Sequence, residues 1–432
     1  VPGKVVGLYL LRGANLLLAQ LGANKTGATW LPFDSETPKD RIATCLADCN
    51  AMALLVDEDV ELRVAGLPQK VWSIDDASFA KPLKKPLAKI KGHTPNHNAY
   101  LIYTSGSTGT PKGIAITHHN ICHYLRASNS IFGITNKDVM FQGCSAAFDL
   151  SMEEIWVPYL AGAALWVVTP EILADTENLP KLMREAGVTA IDTVPTLLGI
   201  FAEDVESIRI MIVGGEACPP SLVDRYAKPG RRIFNSYGPT EATVVATIAE
   251  LEKGKPVTIG TPIPNYTAYV VDDNLQPVAK GQQGELLIGG PGVAAGYFGQ
   301  PALTAQKFIA NPFNNKGIDP ILYRSGDGVS NGDDGQIHFH GRIDDQVKIR
   351  GFRVELGEIE TAISEEPGIE HAAVVLRKDA GIDRLVSFIA PLKDTKPDIA
   401  SLKDSLPKRF PPYMRPAAFE IAPEAQPLPP GN

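Results

Sequence analysis

Through the first 250 residues, short runs of consecutive apolar residues alternate with stretches whose apolar positions recur every three or four. Residues 5–10 form the first such run and 15–23 the first helical stretch. Residues 51–56, 163–168, 190–194 and 208–213 repeat the pattern, most of them followed by a polar or helical segment. Uninterrupted apolar runs of this length suit strands buried on both faces, so the alternation predicts α/β layers with largely parallel sheets. From 250 to 340 the character changes. Short strands are separated by Gly and Pro turns, as in GELLIGGPGV, which predicts a small antiparallel or barrel-like subdomain. After Gly341, RIDDQVKIRGFRVELGEIETAISEE reads as a charged strand pair running into a helix, with HAAVVLR and DRLVSFIAP as further strands. That is a compact α+β unit of about 90 residues, the size of a separate domain. The expected division is a large domain over 1–341 and a small one over 342–432. Residues 81–98, KPLKKPLAKIKGHTPNHN, are basic and proline-containing but lack interleaved aromatics, and read as an exposed linker.

A chain of 432 residues is too long for one core. The net charge of -8 argues against a nucleic-acid or anionic-membrane surface, but not against a small anionic ligand held by local dipoles. Five cysteines without a CxxC pair fit a reducing, cytoplasmic setting better than a disulfide framework. His118, His119 and His123 near Cys122 match no standard zinc spacing and read as a polar helix face. No transmembrane run or signal peptide is visible. The opening residues already read as strand then helix, so the chain is expected to start inside a domain.

The chemistry concentrates in one loop. The apolar strand AYLIY (99–103) runs into TSGSTGTPKG (104–113). Its three glycines let backbone approach a polyanion, its three threonines and two serines add hydroxyl donors, and Lys112 adds a point charge. It is not the P-loop of NTPases, because Lys112 lies between Pro111 and Gly113 instead of ending a GK[ST] motif. A flexible Ser/Gly linker would not be expected to sit between an apolar strand and a Pro-Lys-Gly turn.

YTSGSTGTPKG closely resembles the signature loop of the adenylate-forming superfamily, which includes acyl-CoA synthetases, luciferases and the adenylation domains of nonribosomal peptide synthetases. GATWLPFD (27–34), NSYGPTE (235–241), GELLIGGPGVAAGY (284–297), YRSGD (323–327), GRIDDQVKIRGFRVELGEIE (341–360) and PYMRP (412–416) follow in the family's order. The resemblance implies ATP held by Thr104, Ser105, Gly106, Ser107, Thr108 and Gly109. Thr104, Lys112, Thr240 and Glu241 are implied as catalytic, with Glu241 as the ligand of Mg²⁺. Tyr237 would offer a ring face to adenine and Asn235 its amide, with Ser236 and Gly238 beside them. Gly215, Glu216, Ala217 and Phe339 are implied along the nucleotide. Asp327 would accept the ribose hydroxyls, and Arg342 would reach ribose or phosphate.

Phe148-Asp149-Leu150-Ser151 resembles the segment that opens the substrate pocket in amino-acid-activating members, where an aspartate holds the α-ammonium. Matching the flanking motifs extends the pocket to Leu150, Glu153, Asp192, Ile212, Gly214, Ser236, Val244 and Val245. Asp192 falls in an otherwise buried strand pattern, where a carboxylate is costly without a partner. Glu153 lies four residues after Asp149, on the same helix face. Two acids converging on a cavity call for a cation, each ion pair being worth about 4 kcal/mol at 4 Å and a dielectric near 20, before desolvation. The residue set resembles lysine-type pockets and the poly-lysine synthetase type of adenylation domain; ornithine and diaminobutyrate remain open, because one methylene discriminates weakly.

The resemblance further implies two half-reactions, adenylation and then transfer to the phosphopantetheine thiol of a carrier protein, with the small domain turning about Asp344 between them. The family's C-terminal lysine would be expected just past Asn432. Lys348, Arg350 and Arg353 would face the active site in the transfer state or be ordinary surface charges. An acyl- or aryl-CoA synthetase and a non-catalytic nucleotide or amino-acid binding module are the alternatives. Asp149 argues against the first, and the intact loop with Glu241 and Asp327 against the second.

Overall fold

A computed structural model describes residues 3–75, 90, 92–106, 110–313, 319–349, 351–379 and 382–421. The first sheet runs Lys70–Ser73, Ala53–Val56, Val5–Tyr9, Thr29–Phe33, Asn98–Thr104, Lys112–Thr117. Its neighbours are parallel except the last pair, which forms an antiparallel hairpin. Every residue of Val5–Tyr9 is buried, as a continuous apolar run requires. Most of the 81–98 segment lies outside the described residues.

The second sheet runs Thr261–Pro262, Thr247–Leu251, Arg232–Tyr237, Ile210–Gly214, Ala190–Thr193, Val139–Gln142, Ala164–Val167. Its centre is parallel and its first two strands are antiparallel additions. Helices His118–Phe132 and Leu150–Ala161 fill the space between the sheets. One core runs from Tyr100 and Ile102 through Tyr124 and Met152 to Ile210, Ile212 and Phe234. The first of these helices is entered by a capping box, Thr117 with Asn120, and both end on a left-handed glycine, Gly133 and Gly162.

The 250–340 region folds as an antiparallel sheet of Thr267–Val271, Gln283–Gly289, Phe308–Ala310, Ile321–Asn331 and Ile337–Arg342. The expected boundary after residue 341 falls one residue before that sheet ends at Arg342. Beyond it come the hairpin Gln346–Ile349/Phe352–Glu355, helix Leu356–Ser364 and a three-stranded sheet whose long hairpin is Ile369–Asp379/Ile382–Pro391. Val354, Ile359, Ile363, Leu385, Ile389 and Leu402 give this unit its own core. No helix among the described residues is long and apolar enough to cross a membrane.

Candidate active site between the phosphate loop and the small domain

A cleft with about 590 Å³ of empty space, partly open to solvent, lies where the second sheet, the antiparallel sheet and the 346–355 hairpin meet. Asp149, Leu150, Gly215, Ser236, Tyr237, Gly238, Thr240, Val244, Val245, Asp327 and Arg342, all predicted site residues, line it. Phe148, Pro239, Gln346, Lys348, Gly351 and Arg353 complete the wall. Lys348 and Arg353 are therefore cleft residues; Arg350 lies outside the described residues.

The phosphate loop closes the hairpin between Asn98–Thr104 and Lys112–Thr117, with Thr104 opposite Lys112. Gly106 permits the turn: a Cβ there would lie 2.0 Å from the Thr110 carbonyl oxygen. Ser107, Thr108 and Gly109 lie outside the described residues. Thr104 Oγ1 is buried with no hydrogen-bond partner among the described residues.

The small domain meets this loop group by group. Ser105 Oγ donates to the Arg353 carbonyl at 3.0 Å and accepts from the Glu355 N–H at 2.8 Å. Gly106 N–H donates to Glu358 at 3.1 Å, and Lys112 Nζ to Glu355 at 2.9 Å. Arg41 also pairs with Glu358, at 2.8 Å. Arg353 Nη1 reaches both oxygens of Glu241, at 2.9 and 2.8 Å, and the Tyr297 hydroxyl donates to Glu241 at 2.7 Å. Burial alone would raise the Glu241 pKa; Arg353, Lys112 and Tyr297 outweigh it and hold it at about 2.

On the nucleotide side, the Tyr237 hydroxyl donates to Asp327 at 2.5 Å. Phe339, 6.1 Å away between ring centroids, stands beside that ring without lining the cleft. Arg342 links Asp327, at 3.1 Å, to Asp344, which it holds through two bonds of 2.8 and 2.6 Å. The expected hinge residue is thus tied to the expected ribose acid. Asn235 is directed elsewhere: its amide donates to the Thr258 carbonyl at 2.7 Å, and it does not line the cleft. Its neighbour in the strand, Ser236, does. Glu216 accepts from Thr196, and Ala217 is exposed; neither lines the cleft.

On the amino-acid side, Asp149 precedes helix Leu150–Ala161 but makes no capping hydrogen bond. Its Oδ2 is buried with no hydrogen-bond partner among the described residues. Burial raises its pKa to about 6, against the Thr240 hydroxyl, which favours the anion. Val244 and the preceding Thr243 sit at φ 69° and 61°, a left-handed turn that β-branched residues avoid, so the rest of the fold holds this wall in place. Gly214 leaves room behind it: a Cβ would lie 2.5 Å from Ser236 Oγ. Ile212, Gly214, Glu153 and Asp192 do not line the cleft; all are fully buried, with Ile212 opposite Asp192 across the two parallel strands.

Glu153 and Asp192 are the electrostatic oddity of the fold. Both are 0% exposed. Glu153 Oε1 and both Asp192 oxygens have no partner among the described residues. Burial, then repulsion from Glu154 and Asp149, pushes Glu153 up to about 8, opposed by a hydrogen bond from Tyr124. Burial, then repulsion from Glu153 and Glu154, raises Asp192 well above the usual carboxylate range. Adjacent Glu154 is equally buried but structural, accepting from the Gly143 and Cys144 N–H groups and from Gln142.

Sequence reasoning missed Arg41, Tyr124, Tyr297, Glu355 and Glu358. Each acts through a partner at least 29 positions away, so no local spacing marks it.

A family model described as "AMP-binding enzyme" matches residues 1–298, and one described as "AMP-binding enzyme C-terminal domain" matches 358–429. The delta-poly-L-ornithine synthetase of Acinetobacter baumannii is 51% identical over 425 residues, covering 98% of this chain and 32% of that protein. A dimodular nonribosomal peptide synthase of Bacillus subtilis is 36% identical over 97% of this chain, which spans 18% of its length. The chain thus corresponds to a third or less of these relatives. Among solved structures, a fused adenylation–carrier didomain from Klebsiella oxytoca superposes with a TM-score of 0.83 at 28% identity, over 97% of this chain and 84% of that one. A four-domain nonribosomal peptide synthetase bound to AMP and glycine gives 0.71 at 30%, over 98% and 31%. Motifs, fold and relatives agree: the chain belongs to the AMP-binding enzyme family, as an adenylation domain of the nonribosomal peptide synthetase kind.

Proposed function

We propose that this chain activates an amino acid with a basic side chain, namely ornithine, lysine or diaminobutyrate, as its aminoacyl adenylate, and passes it to the phosphopantetheine thiol of a carrier protein. The observation that carries the reading is the pair of fully buried acids, Glu153 and Asp192, three of whose four oxygens have no partner among the described residues. Four residues of helix advance about 6 Å. The two nitrogens of extended ornithine or lysine lie about 6–7.5 Å apart, a comparable span. An α-ammonium on Asp149 therefore leaves a distal ammonium near Glu153. The poly-ornithine synthetase at 51% identity favours ornithine within this class.

The substrate carboxylate, already ionised, attacks the α-phosphorus of ATP in line, and pyrophosphate leaves. Catalysis is then positioning and charge stabilisation. Ser105, Gly106 N–H and Lys112 grip the polyphosphate, and Thr240 donates to the α-phosphate. Asp327 and Tyr237 hold ribose and adenine. Glu241 suits Mg²⁺: it is a buried, ionised carboxylate already facing a cation, the Arg353 guanidinium. Bound there, the metal would supply charge neutralisation for the polyphosphate.

Pyrophosphate exchange across ornithine, lysine, diaminobutyrate, arginine, glutamate, glycine and leucine tests the reading. A diamino acid is expected to lead the panel, and preference for glycine or leucine over all of them would overturn it.

In the arrangement described, the small domain occupies the groups that would receive MgATP. Glu358 and Glu355 accept from Gly106 N–H and Lys112, the donors assigned to phosphate, and Arg353 pairs with Glu241, the carboxylate that would hold the metal. Nucleotide binding must displace them, which taxes its apparent affinity by the fraction of open molecules. Arg353→Ala is expected to lower the KM for MgATP in exchange about three- to tenfold, while slowing acyl transfer. Unchanged values for both would refute the competition.

A further inference from the structure

The Glu153 side chain is held from behind by a residue outside the predicted pocket. Tyr124 belongs to helix His118–Phe132, is 0% exposed, and donates its hydroxyl to Glu153 Oε2. The other oxygen, Oε1, has no partner among the described residues, nor does either oxygen of Asp192 on the adjacent strand. Glu154, in the same helix as Glu153, acts on both acids, and Asp149, just before that helix, acts on Glu153. No described Lys, Arg or His forms an ion pair with Glu153 or Asp192.

For packing alone a phenylalanine would serve, because a buried hydroxyl is tolerated only with a partner. A lysine or arginine at this position would satisfy Glu153 but cancel the charge a cationic substrate needs. A tyrosine hydroxyl orients the carboxylate and favours its ionised form without neutralising it. We propose that Tyr124 is a specificity-determining positioning residue: it pins one oxygen of Glu153 so that the other, together with Asp192, receives the distal ammonium of the substrate. This rests on the basic-substrate reading of the pocket.

The test is amino-acid-dependent pyrophosphate exchange by the intact enzyme and its Tyr124→Phe variant, from pH 6 to 9, with thermal melts alongside. In the variant, KM for ornithine and lysine is expected to rise about tenfold or more, with kcat and the KM for ATP nearly unchanged. The pH at which the KM for a basic substrate falls is expected to move upward, because Glu153 loses a donor that favours its anion. In a Glu153→Gln background, Tyr124→Phe should add little. Site-specific replacement of Tyr124 by a fluorotyrosine, a stronger donor of nearly the same shape, should move the same pH limb downward; this arm serves if the phenylalanine variant melts early. No preference of the parent enzyme for basic amino acids would overturn the pocket reading, and this inference with it. A basic preference that survives Tyr124→Phe with unshifted KM and pH limb would overturn this inference alone. So would a full additive loss in the Glu153→Gln background.

Discussion

Asp192→Asn is expected to cost about 100-fold in kcat/KM for ornithine or lysine, and to raise the melting temperature of the ligand-free protein at alkaline pH. The first effect follows from breaking a buried ion pair, roughly 3 kcal/mol when one partner is lost. The second follows from linkage. Burial and the Glu153 and Glu154 charges raise the Asp192 pKa in the fold. The unfolded chain therefore releases the Asp192 proton first, and the folded state loses stability as pH rises from the unfolded pKa toward the folded one. Asparagine has nearly the same shape and no such proton, so the stabilisation should be absent near pH 4 and grow with pH. Glu153, held at about 8, gives the same sign over the window from about 4.5 to 8. Exchange kinetics with ornithine and with norvaline, which lacks the distal amine, plus melts across pH, measure both effects. An unchanged ornithine-to-norvaline ratio would show that Asp192 takes no part in recognition. A melting temperature no higher than that of the parent at pH 8 would show that its charge is compensated in the free protein.

Asp192 is conspicuous in the amino-acid sequence alone. A carboxylate within an apolar strand run has no cheap explanation, and its complete burial bears the anomaly out. Asp149 is ambiguous on local grounds, since an Asp before a helix usually caps it; here it makes no cap bond and lines the cleft. The parallel strands are legible for the ordinary reason that doubly buried strands are apolar throughout. The small domain's individual contacts are not. Arg353 reads locally as one more charge in an amphipathic hairpin, and only its position against Glu241, 112 residues earlier, distinguishes it from a surface residue. Tyr124 is hidden for the opposite reason: an aromatic in a helix looks like core, and it is core, with only its hydroxyl committed, to Glu153. Asn235 shows the converse limit. Its motif suggests adenine, yet its amide is committed to Thr258.

Gly351→Val is expected to reduce acyl transfer by at least about two orders of magnitude, leaving pyrophosphate exchange within a few-fold of the parent. Gly351 turns the 346–355 hairpin at φ 81°, a conformation a β-branched residue strongly resists. A Cβ there would lie 2.7 Å from Val194 Cγ1 and 3.6 Å from the Phe148 ring, so valine both strains the turn and blocks its seat on the cleft wall. The hairpin would no longer bring Arg353 to Glu241 or Glu355 to Lys112. Those contacts occupy the groups assigned to MgATP, so adenylation must proceed with them broken, and losing them should not harm it. Transfer is the step expected to need the hairpin docked, with the pyrophosphate site already vacated. Loading of a carrier protein, followed alongside exchange on the same preparation, separates the two half-reactions. Equal loss in both would mean that the hairpin serves adenylation as well, and the division of labour between the two arrangements of the small domain would have to be abandoned.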